Sequence, residues 1–160
     1  MTKDCFTQEV LCLTDTMYGV ARTYLRSRDD CADAVQESIL KAWVHLSALR
    51  RERYFRTWVI RILINECKNI LKKQKRTISA AASPEAASAS EAEGMLYETM
   101  MALKECYRVP LVLYHCEGYT VAEIAHALRL PKGTVASRLS RGREILRRDY
   151  IKGEACLHEG

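Results

Sequence analysis

The most distinctive chemistry in this sequence lies in a basic segment near its C-terminus. Thr120 and Glu123 have the spacing of a capping box, which predicts a helix beginning after Thr120. A turn around Pro131 precedes a second helix, predicted from about Lys132 to Arg148. This order is typical of a helix-turn-helix, whose second helix enters the DNA major groove with its N-terminal half. Hydroxyls near its start permit close approach, and arginines pair with guanine edges or phosphates. A solvated face on a helical hairpin is the alternative interpretation of this segment. The residues of the second helix that could make such contacts are Thr134, Ser137, Arg138, Ser140, Arg141, Arg143, Arg147 and Arg148.

A second basic segment covers 50–76, which contains ten basic residues and only two acidic ones. Its polar face would offer ammonium and guanidinium groups to phosphates, and amides to the edges of bases. A solvated helix face has the same composition, so this pattern alone leaves both interpretations open. The residues predicted on that face are Thr57, Arg61, Asn65, Lys68, Asn69 and Lys72.

A third pattern is acidic and partly apolar, and it suits a protein partner. Its members recur at helical spacing on the side away from the predicted core. An ordinary surface would also expose single leucines, so that interpretation has equal weight here. The residues are Asp33, Gln36, Glu37, Leu40, Lys41 and Val44.

The elements that position these residues are all predicted to be helices. The fold class is all-α, with two small helical domains joined by a flexible linker, the C-terminal one a helix-turn-helix domain. We predict an N-terminal domain over 1–76, a C-terminal domain over 95–150 and a tail over 151–160. The linker is assigned to 77–94, because this stretch is rich in Ala, Ser and Glu and has almost nothing to bury.

Within the N-terminal domain, apolar stripes predict three helices, with Trp43 and Trp58 in the core. Asp29 or Asp30 is the predicted N-cap of the second helix. The third stripe is Phe55, Trp58, Val59, Ile62, Leu63, Cys67, Ile70 and Leu71.

In the C-terminal domain, Pro110 is predicted in the first turn of a helix that Gly118 ends. The inward residues of the last helix are predicted to be Val135, Leu139, Ile145 and Leu146.

The composition is that of a globular protein, with 160 residues, 48% hydrophobic residues and a formal charge of +5. No apolar run approaches the roughly 20 residues of a membrane span, and no signal peptide is recognisable. We therefore expect a cytoplasmic protein without direct membrane insertion. The seven cysteines form no C-x-x-C pair. His115–Cys116 and Cys156 with His158 match no zinc spacing, so no metal, cofactor, catalytic residue or small-molecule substrate is expected.

Taken together, these segments resemble the bacterial RNA polymerase sigma factors of the extracytoplasmic-function (ECF) group, small members of the sigma-70 family. The resemblance covers about 6–148. It rests on DCADAVQESILKAW at 30–43, on FRTWVIRILIN at 55–65, and on YRVP at 107–110 through EGYT at 117–120 to PKGTVASRLSRGR at 131–143. One departure is that 103–106 reads Leu-Lys-Glu-Cys where the family commonly has Leu-Pro, which leaves the turn there undefined.

The resemblance implies a sigma factor that binds core RNA polymerase and directs promoter-specific initiation, and that is not an enzyme. Its first stretch implies docking on the clamp helices of the largest subunit through Asp33, Gln36, Glu37 and Leu40. The last stretch implies recognition of the duplex −35 element, and the linker would run toward the RNA exit path. The implied −35 contacts are Thr134, Ser137, Arg138, Ser140 and Arg141. An anti-sigma factor is a further implied partner. The second stretch implies melting and single-stranded recognition of the −10 element, with a flipped base, through Arg53, Arg56, Arg61, Asn65, Lys68 and Asn69.

Three alternatives remain at this point. A stand-alone helix-turn-helix regulator binding duplex DNA would explain the C-terminal half but not the basic segment at 50–76. A thiol or zinc enzyme would need the cysteines, and a pure interaction module would show no salt-dependent DNA binding.

Overall fold

The computed structural model describes residues 1–77 and 91–158, and every regular element in that part of the chain is helical. These residues form two compact units. The first contains helices α1 to α3, and the second contains α4, α5, α7 and the first five residues of α6. The linker predicted over 77–94 lies largely outside the described residues, and only its ends are seen, as the last residue of α3 and the first turn of α4.

The first unit is a three-helix domain made of α1 (Lys3–Arg22), α2 (Arg28–Val44) and α3 (Phe55–Thr77). Two single 3₁₀ turns, Leu46–Ala48 and Glu52–Tyr54, connect α2 to α3. Ser27, not Asp29 or Asp30, is the N-cap of α2, because its hydroxyl accepts the Asp30 amide at 3.3 Å. The two aspartates occupy the first turn instead, where their charges favour the helix dipole.

The core of the first unit lies where the three helices meet. Met17 of α1, Val35 of α2 and Leu63 of α3 are among its fully buried side chains. The apolar stripe predicted for α3 is rotated from the buried side: Ile60 and Ile64 are buried, whereas Ile62 is half-exposed. The reason is that α3 packs against both α1 and α2, which covers a wider arc than one stripe.

Three other predictions about side-chain burial in this unit were wrong. Trp43 is 44% exposed, and its ring meets Phe6 edge-on, with 5.1 Å between ring centroids. Trp58 is half-buried. Thr57, predicted on the polar face, is buried, and its hydroxyl donates to the Tyr54 carbonyl at 3.1 Å.

The second unit is also helical, and its last helix is longer than predicted. Its elements are α4 (Glu91–Ala102), α5 (Glu105–Leu111), a π-helical turn (Val112–Cys116), the first five residues of α6 (Val121–Leu128), and α7 (Lys132–His158). The predicted tail over 151–160 is therefore helical as far as His158. Val135 and Leu139 of α7 are buried as predicted, but Ile145 and Leu146 are only half-buried.

Pro110 lies inside α5 rather than in its first turn. A proline there has no N–H to donate to the carbonyl four residues earlier, and the backbone passes into the wider π-helical turn directly after it. Gly118 follows at φ +67, the left-handed conformation predicted for the residue that ends this helix. The Tyr119 amide then donates to the Leu113 carbonyl at 2.8 Å, which closes the end of the turn.

Two contacts hold α5 against its neighbours, one at the end of α4 and the other on α7. The Arg108 guanidinium donates to the carbonyls of Met101 and Leu103, at 2.9 and 2.8 Å, which defines the turn between α4 and α5 that the sequence left open. On the other side, Gly142 of α7 lies directly against Leu111 and Tyr107 of α5. A glycine at this crossing lets the two helix backbones approach closely.

Candidate nucleic-acid and protein interfaces

The exposed face of α2 combines acidic, amide and apolar side chains. Asp33, Gln36 and Glu37 are exposed, and Leu40 exposes 61% of its surface. Beyond them, Val44 is 71% exposed, so the C-terminal end of the face is apolar. The structure thus brings together the four residues predicted to contact the polymerase.

Two polar bridges connect α2 to α3 along a groove beside this face. The Lys41 ammonium lies 2.7 Å from a Glu66 carboxylate oxygen, and the Gln74 amide donates to Asp30 at 2.7 Å. The hydrogen bond to Glu66 raises the pKa of Lys41 above its ordinary value, so Lys41 stays protonated across the physiological range. The acidic side chains of α2 line one wall of the groove, and Lys72, Lys73 and Arg76 of α3 line the other.

The exposed face of α3 is basic and contains amides. Asn65, Lys68 and Asn69 are exposed and Arg61 is half-exposed. Their spacing of three and four residues places these four on one side of the helix. Lys72 continues the same side one turn further on. This face can follow a phosphate backbone while its amides reach base edges.

The other two residues predicted for −10 recognition do not join that face. Arg53 belongs to the 3₁₀ turn before α3, where its guanidinium lies 4.8 Å from the centre of the Tyr54 ring and donates to the Tyr54 hydroxyl at 3.0 Å. Arg56 is exposed, but it precedes Arg61 by five residues, which corresponds to about 140° around the helix axis.

The helix-turn-helix begins with the predicted capping box. The Glu123 amide donates to the Thr120 hydroxyl oxygen at 3.2 Å, and the Glu123 carboxylate accepts the Thr120 amide at 2.8 Å. Arg129 in the turn has φ +55, a left-handed conformation that reverses the chain before Pro131. The Leu130 amide donates to the Ala125 carbonyl at 3.0 Å, which closes the end of α6.

On α7, the predicted DNA contacts lie along the side away from the buried Val135 and Leu139. Ser137, Ser140 and Arg141 are exposed, whereas Thr134 and Arg138 are half-exposed. Arg141 lies near the carboxylate of Glu144, at 3.6 Å, in a pair where both side chains are mostly exposed. Such a pair stabilises little and leaves Arg141 available to a phosphate or a base.

Three of the cysteines, Cys31, Cys67 and Cys116, have environments that oppose thiol chemistry. Burial raises the pKa of the Cys67 thiol to about 12, and it also raises the pKa values of Cys31 and Cys116. A raised thiol pKa means little thiolate, the nucleophilic form, at neutral pH. Among the described residues, no three His, Cys, Asp or Glu side chains are grouped to hold a metal ion, and no helix is long and apolar enough to cross a membrane.

Sequence reasoning missed the residues that connect these surfaces to their framework, namely Glu66, Gln74 and Arg108. Glu66 had a detectable signal, because it is the one acidic residue in α3. Gln74 and Arg108 had no such signal, since their partners, Asp30 and the end of α4, are known only from the tertiary structure.

Comparisons with known proteins match both units. The family model for sigma-70 region 2 matches residues 10–77, and that for sigma-70 region 4 matches residues 93–146. The ECF RNA polymerase sigma-E factor of Haemophilus influenzae is 32% identical over 148 residues, which cover 80% of this chain and 78% of that protein. The ECF RNA polymerase sigma factor SigW of Bacillus subtilis is 26% identical, with 91% and 89% covered.

The fold is also found in a solved structure. The sigma factor RpoE of Bartonella quintana, crystallised in complex with the anti-sigma factor NepR, superposes with a TM-score of 0.78 at 24% identity, covering 94% of this chain and 98% of that one. The two region matches in this order, and a relative of such identity over most of both chains, show that the chain belongs to the ECF group of the sigma-70 family of RNA polymerase sigma factors.

Proposed function

We propose that this sigma factor binds core RNA polymerase through the exposed face of α2, reads the −10 element with α3 and the segment before it, and reads the −35 element with α7. The polymerase contacts are Asp33, Gln36, Glu37 and Leu40, on the clamp helices of the largest subunit. The protein gives the polymerase promoter specificity and has no active site of its own.

The observation that supports this division of labour is the separation of charge within the first unit. The exposed face of α2 is acidic and apolar, while the exposed face of α3 is basic with amides. The acidic face of α2 repels DNA phosphates and the basic face of α3 attracts them. Two unit charges a few ångströms apart interact by about 1 kcal/mol or more even near water. The face of α2 is therefore expected to bind a protein surface with basic groups, and the face of α3 to bind nucleic acid.

Two weak DNA contacts on one chain become strong when the polymerase holds both. Each basic face alone would bind DNA mainly through salt-dependent phosphate contacts. After one contact forms, the other is made at a high effective concentration because the linker joins them. Base contacts then discriminate promoters by about 1–3 kcal/mol each.

We further propose that an anti-sigma factor regulates this protein. The support is the structural neighbour RpoE, whose complex with NepR shows that this fold is bound by such a partner in Bartonella quintana. The test is to add a candidate anti-sigma factor to the sigma factor and core polymerase. An anti-sigma factor that covers the docking face should prevent the sigma factor from co-eluting with the polymerase. A candidate that leaves co-elution intact is not the proposed regulator.

A stand-alone regulator of duplex DNA is not favoured, because the match to sigma-70 region 2 over residues 10–77 gives the first unit a role that such a regulator does not need. Its distinguishing behaviour would be specific binding of duplex promoter DNA without polymerase.

The docking face is tested by Glu37→Arg. Charge reversal should weaken binding to core polymerase about tenfold or more, because a group that attracted basic residues would now repel them. Glu9→Arg is the matched control, since it makes the same change at an exposed position of α1. Equal affinities of the two variants would contradict the assignment.

The −35 contact is tested by Arg141→Ala in a transcription assay with core polymerase. Loss of one arginine contact to a base should reduce initiation from −35-dependent promoters about five- to hundredfold, while polymerase binding is unchanged. Lys104→Ala, an exposed change between α4 and α5, is the control and should be neutral. A parallel loss of polymerase binding by Arg141→Ala would refute the role.

A further inference from the structure

The exposed face of α2 and the helix α3 each contain one side chain whose charge is opposite to that of its neighbours. Lys41 lies within the acidic face of α2, and Glu66 is the one acid in the basic α3. The two meet in the groove between the helices, with 2.7 Å between the ammonium and a carboxylate oxygen. The Glu66 side chain is only 12% exposed, so it is placed to hold Lys41 rather than to contact a large partner.

Lys41 also approaches Glu37, one of the proposed polymerase contacts. The Lys41 ammonium lies 3.5 Å from a Glu37 carboxylate oxygen, an ion pair one helical turn apart in which both side chains are about half exposed. The shorter distance to Glu66 shows which carboxylate holds the ammonium more closely. Glu37 therefore keeps a carboxylate that is largely available to another cation.

We propose that Glu66 is a positioning residue for polymerase docking: it holds the ammonium of Lys41 against α3 and so leaves the Glu37 carboxylate free for a basic group on core RNA polymerase. This inference rests on the proposed docking face of α2. Without the charge of Glu66, Lys41 would pair fully with Glu37 and compete with the polymerase for it.

The test begins with Glu66→Gln, which preserves the shape of the side chain and removes its charge. We expect the affinity for core polymerase, measured by fluorescence anisotropy of labelled full-length protein, to fall about two- to fivefold. That range corresponds to the strength of an exposed ion pair, which is what Lys41 would newly form with Glu37. Thermal unfolding followed by tryptophan fluorescence reports whether the first unit remains folded.

The decisive variant is the double change Glu66→Gln with Lys41→Met. Methionine keeps much of the apolar stem of lysine but has no charge, so it cannot compete for Glu37. Affinity should return to the wild-type value. In a Glu37→Gln background, Glu66→Gln should have no further effect, because there is no carboxylate left to protect.

Each result separates this inference from the proposed function. If Lys41→Met fails to restore affinity, or if Glu66→Gln weakens binding equally in the Glu37→Gln background, Glu66 acts through the general structure and the inference is wrong, although the docking face stands. If Glu37→Gln alone leaves affinity unchanged, Glu37 is not a polymerase contact and the inference is wrong. The docking face is refuted only if the charge reversal Glu37→Arg is also without effect.

Discussion

Gly142 offers a quantitative test of how α7 is held in place. A Cβ at this position would lie 3.0 Å from Leu111 Cδ1, 3.2 Å from Tyr107 Cβ and 3.3 Å from Leu111 Cγ. Carbon atoms in packed interiors prefer separations of about 3.5–4.0 Å. The leucine can rotate away, but the tyrosine Cβ can move only with the backbone of α5. Gly142→Ala should therefore push α5 and α7 apart.

Two opposing contributions determine how much Gly142→Ala changes the free energy of unfolding. Alanine in a helix interior stabilises by about 1 kcal/mol relative to glycine. Inserting a methyl group into a filled contact costs about 1–3 kcal/mol. We expect a net loss of about 1 kcal/mol in the free energy of unfolding of the second unit, or roughly 4–8 °C in its melting temperature.

Gly133→Ala is the matched control, because Gly133 lies in the same helix with nothing within 4 Å of an added Cβ. It should leave stability unchanged or raise it slightly. Amide hydrogen exchange in α5 and α7 measures both variants. Both tryptophans, Trp43 and Trp58, lie in the first unit, so tryptophan fluorescence reports on that unit. If Gly142→Ala protects these amides as well as Gly133→Ala does, the account of the crossing is refuted.

Three further predictions concern stability. Thr120→Ala should cost about 1 kcal/mol in denaturant unfolding, since it removes the hydroxyl that accepts the Glu123 amide, and an unchanged midpoint would argue against the cap. Arg108→Leu should speed hydrogen exchange around Leu103, because two carbonyls lose their donor; slow exchange there would show that the guanidinium is dispensable. Burial raises the pKa of Cys67 from 9.0 to about 12, so the unfolded chain loses its proton first and stability should fall as pH rises above 9, by about 1 kcal/mol between pH 8 and 10. Cys67→Ala should flatten this slope in urea unfolding followed by tryptophan fluorescence, and an equally steep slope would exclude Cys67 as its source.

Local signals in the sequence predicted the helices and the helix-turn-helix. The capping box of Thr120 and Glu123 and the left-handed Gly118 are confirmed, because each depends only on neighbours along the chain. The all-α fold and the sigma factor identity are confirmed as well.

The wrong predictions concern which side of a helix is buried against its neighbours. The helical period places Trp43 in the core, yet it is 44% exposed and its ring meets Phe6 edge-on. Ile60 and Ile64 are buried because a second helix packs on α3, which a single helical stripe does not reveal. The helical period predicts Lys41 on a solvent-facing surface, but its bond to Glu66 depends on how α2 and α3 pack. The site residues proposed for polymerase and DNA remain predictions.

The central claim is that this protein acts by joining core RNA polymerase, and its most direct measurement is size-exclusion chromatography of the purified full chain with bacterial core polymerase at low and moderate salt. We expect co-elution at a one-to-one ratio, as for a sigma factor, with a loss of co-elution for Glu37→Arg. A folded protein that elutes separately from the polymerase at both salt concentrations would contradict the claim.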